Sequence, residues 1–297
     1  MVRPSWDSGI RMTLCLAAVT KDLEAIVTAS DTMIGFAGPA GHFSYDACML
    51  KLGFLADSWR VMYAGNDISH LTPVVDHIRR TLFQPSGSPL HPASRVEQVA
   101  KDAYRSQWVE SLDDSVMRRH GITHSEYFDA MGWERIPPES RRLIAAQVAE
   151  WDLELDLLIY GFDNEGPHIF KVSGSGSTAF ADTHGFAVVG ANEIHDLVLG
   201  HLARKRVNVS SVPEAIIHLC QAKSMVEGQS GIGPATNVTV MDRGDEIFIE
   251  NSSLEPIRQF LNAGGSLKEA AQMAGDALTT GLSFNRWQDT IGPIRRD

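Results

Sequence analysis

TLCLAAVTKDLEAIVTASDT, residues 13–32, is the stretch on which the reading of this chain turns. Two apolar runs flank the charged tetrapeptide Lys21–Glu24, the pattern of two strands joined by a tight turn. The runs are apolar nearly without interruption rather than strictly alternating. That marks strands covered on both faces. Two polar residues stand at their outer ends: Thr13 opens the first run and Asp31 closes the second. Each alone reads as local structure, since threonine favours strands and aspartate favours turns.

Downstream, GFAGPAGH (residues 35–42) reads as a Gly/Pro-rich loop. A second pair of strand-like runs follows, YDACMLKLGFLAD (residues 45–57) and WRVMYAG (residues 59–65). After Asn66 the period changes. Ile68, Leu71, Val75, Ile78 and Leu82 recur three or four apart, which predicts an amphipathic helix. Val96, Val99, Ala103 and Trp108 predict a second. Asp113 to Trp151 is charged and helical in pieces, interrupted at IPPES. Strands return in LDLLIYGFD and HIFKVSG around the turn NEGP, and in the apolar run TAFADTHGFAVVGA. Two helices, NEIHDLVLGHLARK and VPEAIIHLCQAKSMVEG, lead to a hairpin through DRGD and to a helical tail. Blocks of strands and helices in this order fit an α+β fold of antiparallel sheets. Two stacked sheets between two helix layers would bury both sheets.

Composition narrows the function. Acidic residues outnumber basic ones 37 to 26, for a net charge of −11, and no basic run exceeds ARKR (Ala203–Arg206). Nucleic acid is a poor partner for such a chain. Three sparse cysteines, Cys15, Cys48 and Cys220, lack the spacing of a zinc knuckle and point to a reducing, cytoplasmic setting. The eleven histidines show no paired ligand spacing, so no metal and no cofactor are expected. No apolar run approaches the ~20 residues that span a bilayer, so no membrane is expected. SGSGS (Ser173–Ser177) lacks the Lys-Ser/Thr ending of a phosphate loop and reads as a turn.

Several motifs, taken in order, resemble proteasome β-type subunits and their bacterial relatives, the N-terminal-nucleophile (Ntn) hydrolases. TLCLAAVTKD is similar to the family's first strand, AIVTASDT to its second, MLKLGFL to the strand carrying its lysine, and VMYAG to the strand ending at its oxyanion glycine. LDLLIYGFDNEGPHIFKV resembles the central hairpin and AVVGANEI the strand-to-helix turn. The resemblance covers about Thr13 to Ile249. It implies a four-layer αββα sandwich over residues 13–250 with a helical insert at about 113–151. Residues 1–12 would be a propeptide or a misassigned start, and 251–297 a helical extension.

The resemblance also implies a site: Thr13 as nucleophile, Asp31 and Lys51 beside it, and the Gly65 N–H facing the oxyanion. Glu227 and Ser230 stand at the spacing of the family's supporting acid and serine. Tyr63, two residues before Gly65, reads as a pocket residue or as a core aromatic. A threonine hydroxyl needs a base, and the α-amine of an N-terminal threonine can serve, with a pKa near ~8. Three departures stand out. The supporting acid is Glu rather than Asp, Ala191 replaces a supporting serine, and Met12 rather than glycine precedes Thr13. Met12 directly before Thr13 suits a translation start trimmed by an aminopeptidase better than self-cleavage. The function implied is a threonine-type endopeptidase in a homo-oligomeric ring, acting on peptides or unfolded protein, with an ATP-dependent unfoldase as a candidate partner. The alternatives are a non-catalytic ring subunit of the same fold and a small-amide Ntn amidase.

Overall fold

The computed structural model describes residues 13–38, 41–46, 51–65, 68–84, 89–190, 192–227 and 232–283. It begins with β1 (Leu14–Val19) and β2 (Ile26–Asp31), then β3 (Met33–Gly38), β4 (Gly41–Asp46), β5 (Leu52–Ala56) and β6 (Trp59–Gly65). Next come α1 (Leu71–Leu82), α2 (Ala93–Ser115), α3 (His124–Phe128), α4 (Ala130–Arg135) and α5 (Pro138–Ala149). Strands β7 (Leu155–Phe162), β8 (Pro167–Ser173), β9 (Ser177–Phe180) and β10 (Phe186–Gly190) follow. The chain continues through α6 (Asn192–Lys205), α7 (Val212–Ser224), β11 (Thr236–Met241) and β12 (Glu246–Ile249) to α8 (Asn251–Asn262), α9 (Leu267–Thr280) and β13 (Leu282–Ser283).

Two antiparallel sheets carry the fold, one ordered β10-β1-β2-β11-β12-β13 and the other β5-β6-β7-β8-β9. Alternation along β1 shows why they stack. Leu14, Leu16 and Ala18 join Ile216, Leu219 and Val198 of α7 and α6 on one face. Cys15, Ala17 and Val19 face Met62, Ala64, Leu158 and Tyr160 of the other sheet. That sheet's far side, with Trp59, Val61 and Phe170, packs on Val75, Ile78, Val96 and Ala100 of α1 and α2. The order helix, sheet, sheet, helix is the expected αββα sandwich. Each buried leucine contributes about 2 kcal/mol, and a one-residue slip of β1 would exchange its two apolar sets.

The β1–β2 turn follows its sequence. Thr20 ends β1, and its hydroxyl both donates to the Ala25 carbonyl and accepts from the Ala25 N–H, each at 3.1 Å. In the DRGD turn the Asp242 carboxylate accepts from the N–H groups of Gly244 and Asp245 at 2.6 and 2.7 Å. SGSGS turns the chain from β8 to β9 with Gly174 and Gly176 at positive φ.

One expectation is corrected. The stretch read as a Gly/Pro-rich loop contributes to a hairpin, β3–β4, with Ile34 paired to Tyr45 and Phe36 to Phe43. Glycines at 35, 38 and 41 masked the strand pattern, but backbone pairing does not need side chains at those positions. The glycine-punctuated apolar run after Ser177 divides between two strands, β9 and β10. β9 ends the sheet of β5, while β10 pairs with β1 in the other sheet. Within the insert, Leu112, Val116, Met117, Tyr127, Ile136 and Ile144 form a small core of their own.

Candidate active site

The ends of β1 and β2 and the residue before β5 meet at one end of the sandwich. The Lys51 Nζ donates to the Thr13 Oγ1 at 2.8 Å and to both Asp31 oxygens at 2.9 Å. All three residues are buried: Thr13 is 7% exposed, Lys51 3% and Asp31 0%. The Leu14 N–H donates to Asp31 Oδ1 at 2.9 Å, fixing the backbone immediately after Thr13. Strand alternation explains the roles of the three. Thr13 shares the inter-sheet face of β1 with Cys15, whereas Asp31 shares the α7 side of β2 with Val27 and Ala29. The lysine reaches both from the end of the sheets.

Lys51 is a donor in each of these contacts. It can stabilise negative charge growing on the Thr13 oxygen, but its ammonium has no lone pair with which to take the Thr13 proton. A base must come from elsewhere. Cys15 is no rival nucleophile, because burial pushes its thiol up to about 12, and its Sγ donates to the Tyr63 carbonyl at 3.3 Å.

That contact lays β1 against β6, with Gly65 two residues beyond Tyr63 at the strand end. Gly65 has a steric reason to be glycine, since a Cβ would lie 2.3 Å from the Glu154 carbonyl oxygen. Tyr63 itself packs with the core under α1 and α2, on the other face of the sheet from Met62 and Ala64. Gly190 was not singled out from sequence. It pairs with Leu14 at φ +125°, and a Cβ there would lie 1.8 Å from the Thr13 carbonyl oxygen. No other residue fits there, and only the paired strands reveal it.

Glu227 is engaged by two cations. Its carboxylate accepts from the Lys223 Nζ at 2.8 Å and from the Arg258 guanidinium at 2.5 Å. Lys223, fully buried at the end of α7, was also missed from sequence. Burial holds its ammonium below the usual lysine range, and Glu227 opposes that shift. Ser230, Ala191 and Met12 lie outside the described residues.

No protein-family model matches the chain, and no curated protein does. A solved structure, the Anbu (Gly-1) mutant from Hyphomicrobium sp. strain MC1, matches with a TM-score of 0.53 at 16% identity. The match covers 90% of this chain and 95% of that one. Anbu is a bacterial protein of the proteasome-like Ntn-hydrolase type, so the likeness shows a distant proteasome-like fold. Among the described residues, no helix is long and apolar enough to cross a membrane.

Proposed function

We propose that this protein is a threonine-type peptidase of the proteasome β kind, with Thr13 as its N-terminal nucleophile. The observation that carries this reading is the Lys51 ammonium placed 2.8 Å from the Thr13 hydroxyl and 2.9 Å from both Asp31 oxygens. A strand-end threonine has no structural need of a buried lysine aimed at its oxygen. Once Met12 is removed, the α-amine of Thr13 takes the hydroxyl proton as Oγ1 attacks a peptide carbonyl. Lys51 stabilises the growing charge on Oγ1, and the Gly65 N–H receives the oxyanion. The amine returns its proton to the departing amine. Water, deprotonated by the same group, then hydrolyses the Thr13 ester. The distant proteasome-like fold supports assembly into a homo-oligomeric ring that admits unfolded chains, with an ATP-dependent unfoldase as partner.

One observation favours a second reading, a ring subunit without catalysis. Glu227, expected to support the nucleophile, has its carboxylate engaged by Lys223 and Arg258. The test is a peptide epoxyketone or β-lactone added to native protein, read by intact mass and N-terminal sequencing. The peptidase reading expects a chain beginning at Thr13 and one adduct on that residue. A chain retaining Met12, or one beginning at Thr13 that takes no adduct, leaves the structural subunit.

A further inference from the structure

Lys223 sits where nothing on its own helix explains it. Its ammonium donates to Glu227 Oε1 at 2.8 Å, to the Gly233 carbonyl at 2.5 Å and to the Pro234 carbonyl at 2.7 Å. These acceptors lie on both sides of residues 228–231, so a single buried cation ties the chain before that segment to the chain after it. Arg258 of α8 repeats the tie, donating to Glu227 Oε2 at 2.5 Å and to the Pro234 carbonyl at 2.7 Å. Two residues beyond Pro234, Thr236 opens β11 and pairs in register with Asp31. Register partners share a face, so Thr236 stands beside Asp31 on the side of the sheet that α7 covers. Its buried hydroxyl has no hydrogen-bond partner among the described residues.

We propose that Lys223, with Glu227 and Arg258, is a positioning device for the chemistry at Thr13. It anchors the start of β11 against Asp31 and places a net positive charge behind the Asp31–Lys51 pair. The inference rests on the nucleophile reading above and assigns Glu227 a role different from direct support of Thr13. The charge acts through Asp31, which lies within electrostatic reach of Lys223.

The groups facing Lys223 set the sign of the effect. They are Glu227 just after α7, the neutral Cys220 thiol on α7, Arg258 and Glu255 on α8, and Asp31 on β2, with Lys51 beyond it. Removing a positive charge from this set makes protonation of the Thr13 amine easier. The acid side of the rate profile then moves to higher pH. Removing a negative charge moves it to lower pH.

The experiment uses protein verified to begin at Thr13 and measures the rate of epoxyketone labelling of Thr13 from pH 5 to 9. Lys223→Met is expected to move the acid limb up by about 0.3–1 unit and Glu227→Gln to move it down by a similar amount. Arg258→Gln repeats the upward shift and keeps the test open should Lys223→Met fail to fold. A clip that merely ties Glu227 to Gly233 and Pro234 would slow labelling in all three variants without moving the limbs in opposite directions. Limbs that stay put, or that all move one way, overturn this inference alone. Wild-type protein beginning at Thr13 that is labelled at no pH overturns the nucleophile reading and this inference with it.

Discussion

Lys51–Asp31 and Arg60–Glu246 are both buried cation–carboxylate pairs that cross from the sheet of β5 and β6 to the sheet of β1 and β2, at 2.9 and 2.7 Å. Their difference lies in what the cation does with its remaining donors. Arg60 gives its Nη1 to the carbonyls of Ala56, Asp57 and Trp59, and its guanidinium lies 4.6 Å from the centre of the Phe54 ring. Tyr160 donates to the other oxygen of Glu246 at 3.4 Å. Those neighbours are backbone and aromatic groups with no chemistry to perform. Lys51 turns its remaining donor on a hydroxyl. An arginine fork suits a fixed tie between sheets, while a lysine point charge suits stabilising charge that develops on one atom. The same interaction thus serves packing at one place and a reactive group at another.

The comparison can be broken from its strongest side first. Thr13→Ala should abolish epoxyketone labelling while costing about 1 kcal/mol in urea unfolding, because one buried donor loses its partner. Loss of the fold instead would make Thr13 a core residue. Lys51→Met should slow labelling by at least about 100-fold and destabilise by about 3–5 kcal/mol, since the buried Asp31 carboxylate loses its cation. Arg60→Met should cost a similar ~3–5 kcal/mol, yet leave the labelling rate per folded molecule unchanged. A slowed rate there would erase the distinction between the two pairs. Arg60→Met with Glu246→Leu should recover most of that stability, because no charge remains buried alone.

The last effect, which leaves labelling untouched, concerns a buried base without a carboxylate. His201, on α6, has an Nε2 without a partner among the described residues, and burial lowers its pKa to about 4, with Lys205, His218 and Arg204 adding to the shift. The unfolded chain binds this proton near pH 6.5 and the folded chain does not. Stability is therefore full above about 6.5 and falls as pH drops toward 4, by about 3 kcal/mol at most. His201→Asn should flatten that slope in urea titrations. A slope that persists would move the acid sensitivity to the paired carboxylates and blur the contrast drawn above.

Much of this was legible in the sequence, for reasons that differ by residue. β1, β2, β6 and β7 are apolar runs with polar turns, so local pattern alone announces them. Thr13, Asp31 and Lys51 stood out only through the resemblance of their strands, taken in order, to the proteasome β type, and the structure brings them within hydrogen-bond distance. β3 and β4 were not legible, because glycine erases the side-chain period while leaving the backbone free to pair. Tyr63 read as pocket or core, and only the packing of its sheet face put it under α1 and α2. Gly190 resembled any strand-end glycine until β10 was laid against β1.

The sequence by itself determined the succession of strands along the chain and the two-sided burial of the sheets, which depend on local periodicity, while the cluster of Thr13, Asp31 and Lys51 was implied by the resemblance alone. The tertiary structure alone decided which face Tyr63 occupies, what Lys223 binds and where the Glu227 carboxylate goes. Each depends on groups far apart in the chain, such as Lys223 and Pro234 or Glu227 and Arg258. A buried charge is placed by its acceptors, and those acceptors exist as a set only after the chain has folded.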